Sequence, residues 1–118
     1  MQDSDTGLPR IRDAQGKWVV YALGGIFGET SRALFVGDTD ATAIVYVPRD
    51  DVAMAFFDRS DRTTSDPAFG TATWYALETK SQLLADAAWS FEAPPEAAAA
   101  LKGYLAFDEA QVTVERQA

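Results

Sequence analysis

The stretch Trp18-Val19-Val20-Tyr21-Ala22-Leu23-Gly24-Gly25-Ile26-Phe27 decides the fold class. β-branched and aromatic residues fit a pleated, half-buried surface, and Gly24-Gly25 can supply the positive φ angles of a two-residue hairpin turn. The spacing predicts a strand up to Leu23 and a partner from Ile26, which bends near Thr30-Ser31 and runs on through Ala33-Leu34-Phe35-Val36. Gly37-Asp38-Thr39-Asp40 reads as a turn, and Ile44-Val45-Tyr46-Val47 as the next strand, stopped by Pro48. Pro48-Arg49-Asp50-Asp51-Val52 fits one helical turn with proline in first position, and Ala53 to Phe57 a buried strand. Residues 58–70 are charged and read as a loop. Strands are expected from Gly70 to Leu77 and from Gln82 to Phe91, around Trp89. Pro94-Pro95 opens the single short helix, Glu96 to Leu101, with Gly103 as its stop. Tyr104-Leu105-Ala106-Phe107 and Val112-Thr113-Val114 complete a mainly antiparallel β domain spanning residues 17–118. Residues 1–16 read as a surface tail.

The chain has 118 residues, 47% of them hydrophobic, with three Trp, four Tyr and seven Phe, enough for a single core. Its net charge of −8 opposes a phosphate backbone, so no nucleic-acid partner is expected. The absence of Cys and His excludes disulfides, a thiol nucleophile and the usual imidazole base. Met1-Gln2-Asp3-Ser4-Asp5 is not a secretory signal, and Trp18 to Phe27 falls short of the ~20 residues a spanning helix needs, which points to a cytoplasmic protein without a membrane partner.

Beyond the hairpin, the strings Gly28-Glu29-Thr30-Ser31-Arg32-Ala33-Leu34, Tyr46-Val47-Pro48-Arg49-Asp50-Asp51-Val52, Asp61-Arg62-Thr63-Thr64, Gly70-Thr71-Ala72, Ala88-Trp89-Ser90 and Lys102-Gly103-Tyr104-Leu105-Ala106-Phe107 occur in order. Together they resemble DUF427, a family of uncharacterised bacterial and fungal domains, over roughly residues 15–114. The resemblance implies a β-tent (Mss4-like) fold of two small antiparallel sheets, as in methionine-R-sulfoxide reductases. Many β-tent proteins hold a zinc with paired Cys-x-x-Cys knuckles. This chain has no thiolate or imidazole for such a zinc site, so Trp18, Phe56, Trp74 and Trp89 are expected to fill the space by packing. Reductase chemistry lacks its cysteine in the same way. In the family, Asp61-Arg62-Thr63-Thr64 usually continues as Cys-Pro-aromatic-Lys-Gly; here Ser65 or Asp66 stands for the cysteine and Phe69 for the lysine.

Names attached to the family suggest nucleotidyl transfer, and Gly24-Gly25 with Asp38-Thr39-Asp40 spells its glycine step and magnesium-binding aspartates. The context argues against it, because these glycines belong in a hairpin and the aspartates in a turn. An EF-hand beginning at Asp58 would need Gly where Thr63 stands and Glu where Phe69 stands. No metal or other cofactor is therefore expected.

The candidate ligand-binding residues are Arg32, Tyr46, Asp61, Arg62, Thr63 and Trp89. Arg32 and Arg62 could clamp a small anionic or carbonyl-bearing ligand bidentately, with Thr63 and Tyr46 orienting it and Trp89 as a wall. The bland reading pairs Arg32 with Glu29 or Asp51, ties Thr63 and Thr64 to nearby backbone, and leaves Trp74 and Trp89 in the core. Two alternatives stand beside ligand binding. One is an enzyme using Asp61 or Asp51 as base beside Arg62 on a nucleotide or small metabolite. The other is a protein interaction module, with the alanine-rich helix as a homo-oligomer contact.

Overall fold

A computed structural model describes residues 10–117. Ten strands are formed in this span: β1 (Ile11–Asp13), β2 (Trp18–Ala22), β3 (Gly25–Thr30), β4 (Leu34–Val36), β5 (Ile44–Pro48), β6 (Phe57–Asp66), β7 (Gly70–Glu78), β8 (Leu83–Phe91), β9 (Tyr104–Phe107) and β10 (Thr113–Arg116). They make two sheets, one of seven strands in the order β1-β4-β5-β9-β8-β7-β6 and one of three in the order β10-β2-β3. Every pairing is antiparallel. The mainly β, two-sheet class expected from the sequence is therefore the observed one. No helix among the described residues is long and apolar enough to cross a membrane.

Register assigns the two faces of the large sheet. Val47, Leu105 and Ser90 are partners across β5, β9 and β8, and Tyr75, Ala88 and Phe107 across β7, β8 and β9. This inner face packs in one cluster with Val20, Ala22 and Phe27 of the small sheet, and Val20, Val47, Leu77 and Leu105 are completely buried there. Trp74, Trp89 and Ala106 share the opposite, outer face. There they join Tyr46, Phe69, Phe91, Ala98 and Leu101 in a second cluster. A third cluster of Ala14, Trp18, Ala33 and Phe35 joins the sheets at one end, with the Trp18 Nε1–H donating to the Ala14 carbonyl at 3.0 Å.

Several local expectations are corrected. The hairpin turn sits one residue early, with Leu23 (φ 51°) and Gly24 (φ 78°) left-handed and Gly25 already in β3. Ile11–Asp13, read as part of a tail, pair with β4 as an edge strand; the tail's residues 1–9 lie outside the described span. Ala53 to Phe57 is not a buried strand, since Met54–Phe56 form a 3₁₀ turn and Phe56 is 44% exposed. The charged segment 58–66 is no loop but the bulk of β6, paired along β7 with a register shift between Arg59 and Thr63. Its polar composition suits an edge strand, where charges and a bulge deter further strand addition. The Glu96–Leu101 helix is a kinked 3₁₀ segment whose Ala98 and Leu101 are buried on the outer face.

One polar network clasps the strands at the end of β5. The Arg49 guanidinium donates to the Tyr75 hydroxyl at 3.1 Å, to the Ser90 hydroxyl at 3.4 Å and to both oxygens of Glu92. The Tyr75 and Ser90 hydroxyls donate to the same Glu92 carboxylate. The bonds from Arg49 dominate and, with those hydroxyls, hold the Glu92 carboxyl at about 2, below its ordinary 4.5, against the opposing effect of burial. A carboxylate depressed on folding stabilises the fold above its unfolded pKa, and that contribution fades as pH falls through the folded value. Glu92→Gln should therefore melt several degrees below the parent at neutral pH, and the gap should close between pH 4.5 and 2 in thermal melts followed by circular dichroism. In the inner layer, Leu77→Ala should cost about 2–5 kcal/mol by cavity formation, read as a lower urea midpoint with an unchanged slope.

Candidate functional site: an aromatic cleft on the outer face

β7 and β8 place Trp74 beside Trp89, their ring centroids 5.2 Å apart and their planes 41° apart. Tyr46 rises from β5 edge-on to Trp89, with centroids at 6.4 Å and planes at 88°. Phe91 stacks behind Tyr46 and touches Phe69 at 5.3 Å. These rings line a cleft of about 380 Å³, rimmed by Gly37, Thr42 and Ile44 on one side and by Thr64, Ser65 and Asp66 on the other. Its size suits a small ligand.

The polar atoms of the cleft are oriented by the indoles. The Trp89 Nε1–H donates to the Tyr46 hydroxyl oxygen at 3.2 Å, and the Trp74 Nε1–H donates to Thr64 Oγ1 at 2.9 Å. An indole N–H is donor-only, so each hydroxyl serves as acceptor and keeps its own hydrogen to give elsewhere. Among the described residues neither hydroxyl donates to a protein acceptor. Burial, reinforced by the nearby Asp66 charge and opposed by the Trp89 bond, pushes Tyr46 up to about 12, so it remains a protonated donor. Asp66 Oδ1 accepts the Ala68 and Phe69 backbone N–H groups at 2.7 and 3.0 Å, which closes the β6–β7 turn and seats Phe69 under the cleft. Both bonds use Oδ1, and Oδ2 accepts no hydrogen bond among the described residues. Asp66 is the one charged side chain among the described residues lining the cleft.

The six residues singled out in the sequence are not gathered in one place. Tyr46 and Trp89 meet in the cleft. Arg62 lies outside its lining, its guanidinium 4.5 Å from the Trp74 ring centroid and paired with Asp86 at 2.8 Å. Asp61 and Thr63 are exposed on β6. Arg32 is exposed at a different cavity of about 350 Å³, shared with Arg49, Asp50, Lys102 and Tyr104. It pairs with Asp51 at 3.2 Å, one of its two expected partners, and Asp51 also accepts the Thr30 hydroxyl at 2.7 Å. Both arginines of that cavity are matched, since Arg49 is engaged by Glu92, while Lys102 forms no ion pair among the described residues. Thr64, Asp66, Phe69 and Phe91 were not among the six. The legible signal was alternation: Ala72 and Trp74, like Trp89 and Phe91, are two apart and share a face of their strand.

A family model described as a domain of unknown function, DUF427, matches residues 10–118. No curated protein matches the chain.

Proposed function

The chain belongs to the DUF427 family, and from the geometry of its outer face we propose that this member is a small-ligand-binding domain whose site is the aromatic cleft. The observation that carries the reading is the pair of hydroxyl donors, Tyr46 and Thr64, left free by the two indoles that hold them. Two O–H donors in a cleft walled by aromatic rings suit a ligand with a ring or a methylated body and a carbonyl oxygen. The anionic alternative has less support, because Asp66 would repel an anion in the cleft and the arginines of the Arg32 cavity are already paired. Two-sheet packing around an apolar layer supports the β-tent architecture as the frame that presents this cleft.

Trp74 and Trp89, two of the three tryptophans, line the cleft, so intrinsic fluorescence reports its occupancy. Titration with a panel of small neutral cyclic amides, lactones and sugars should quench or shift that emission for at least one class and raise the melting temperature. Tyr46→Phe and Thr64→Val should each weaken the best ligand roughly three- to tenfold, the worth of one net hydrogen bond of about 1 kcal/mol. Undiminished affinity in both variants would remove the hydroxyls from the site.

A further inference from the structure

The walls and the charge of the cleft narrow the ligand further, granted that the cleft is a ligand site. We infer that it takes the alkylammonium head of a cationic ligand, held among the rings of Tyr46, Trp74 and Trp89 and neutralised by the Asp66 carboxylate. Three observations carry this. The aromatic walls are not parallel: Tyr46 stands at 88° to Trp89, and Trp74 at 41° to it. Inclined faces make a corner, which fits a rounded tetrahedral group better than a flat ring. Aromatic faces attract cations through their negative quadrupole, and tryptophan does so best. One face of the Trp74 ring is taken by the Arg62 guanidinium at 4.5 Å and is not available to a ligand.

The second observation is the charge itself. Asp66 forms no ion pair among the described residues; its partners are two backbone N–H groups. A carboxylate without a protein cation, at the edge of a low-dielectric aromatic cleft, is stabilised by a cation brought from outside. The third is the field of the whole chain, whose net charge of −8 concentrates cations and depletes anions near its surface. The Tyr46 and Thr64 hydroxyls then meet a carbonyl oxygen on the same molecule. The ligand class is an ammonium group joined through a short linker to a carbonyl.

Acetylcholine and 3,3-dimethylbutyl acetate, in which carbon replaces the ammonium nitrogen, differ in charge and share shape and carbonyl. Titrated into the full chain by tryptophan fluorescence and calorimetry, the cationic ester should bind about tenfold more tightly than the neutral one, the scale of a desolvated cation–π contact with a nearby carboxylate. Asp66→Asn keeps a side-chain oxygen to accept the Ala68 and Phe69 N–H groups, and should erase that preference while sparing the neutral ester. On the parent protein, added sodium chloride should weaken the cationic ester alone, a readout that survives if the variant folds poorly. Equal affinity for the two esters, or a preference untouched by both Asp66→Asn and salt, would overturn the ammonium assignment and leave the cleft as a neutral-ligand site. If neither ester binds, the ammonium assignment falls. If the neutral cyclic panel also leaves the emission and melting temperature unchanged, the cleft falls as a site with it.

Discussion

The apolar layer between the two sheets is the constraint on which the rest of the molecule depends. The chain has no thiol or imidazole, so no thiolate or imidazole ligand can pin the sheets to each other. Cohesion comes from Val20, Val47, Leu77 and Leu105, buried completely, and from Phe27, Phe57 and Phe107 packed around them. Burying a side chain of this kind contributes about 1.5–3 kcal/mol. The layer also explains the position of β9. Its four residues include two with no exposure at all, Leu105 and Ala106. A strand apolar on both faces belongs in the middle of a sheet, and β9 lies between β5 and β8.

Because the small sheet covers the inner face, the outer face of the large sheet must be closed by other means. The turn after β6 and the kinked 3₁₀ segment cover part of it through Phe69, Ala98 and Leu101. The remainder stays open between Trp74 and Trp89, and the cleft is that uncovered portion. Half-buried tryptophans have an N–H that needs an acceptor, and the nearest oxygens are the Tyr46 and Thr64 hydroxyls. A requirement of packing thereby sets the direction of the polar chemistry in the cleft.

The Arg49 network has a related origin. Arg49 follows Pro48, where β5 ends, and its chain reaches across the inner edge toward Tyr75 and Ser90. An arginine placed there needs a carboxylate, and Glu92, just beyond the end of β8, supplies one. Three stretches far apart in the chain are thus tied at one corner. The same arrangement withdraws Arg49 from the neighbouring cavity as a free cation, and Asp51 does the same for Arg32. The two arginines expected to clamp an anion, Arg32 and Arg62, are likewise paired within the fold, with Asp51 and Asp86.

The strands from Trp18, Ile44, Gly70 and Tyr104 were legible because alternation and β-branched or aromatic runs are local signals. β6 was not, since its charges and hydroxyls resemble a loop and only the ladder along β7 makes them a strand. Tyr46 and Trp89 could be singled out in the sequence by their polar-tipped rings, and they meet in the cleft. That Thr64 and Asp66 join them was not legible, because a turn three residues long had to bring the end of β6 over the outer face. By itself the sequence determined a β protein, its aromatic stock, its negative charge and the want of thiol and imidazole, all properties carried by single residues or near neighbours. Only the tertiary structure decided which hydroxyls, rings and carboxylate share a cleft and which arginines are spent on partners. Those facts depend on register between strands distant in the chain, and register is chosen by the packing of whole faces.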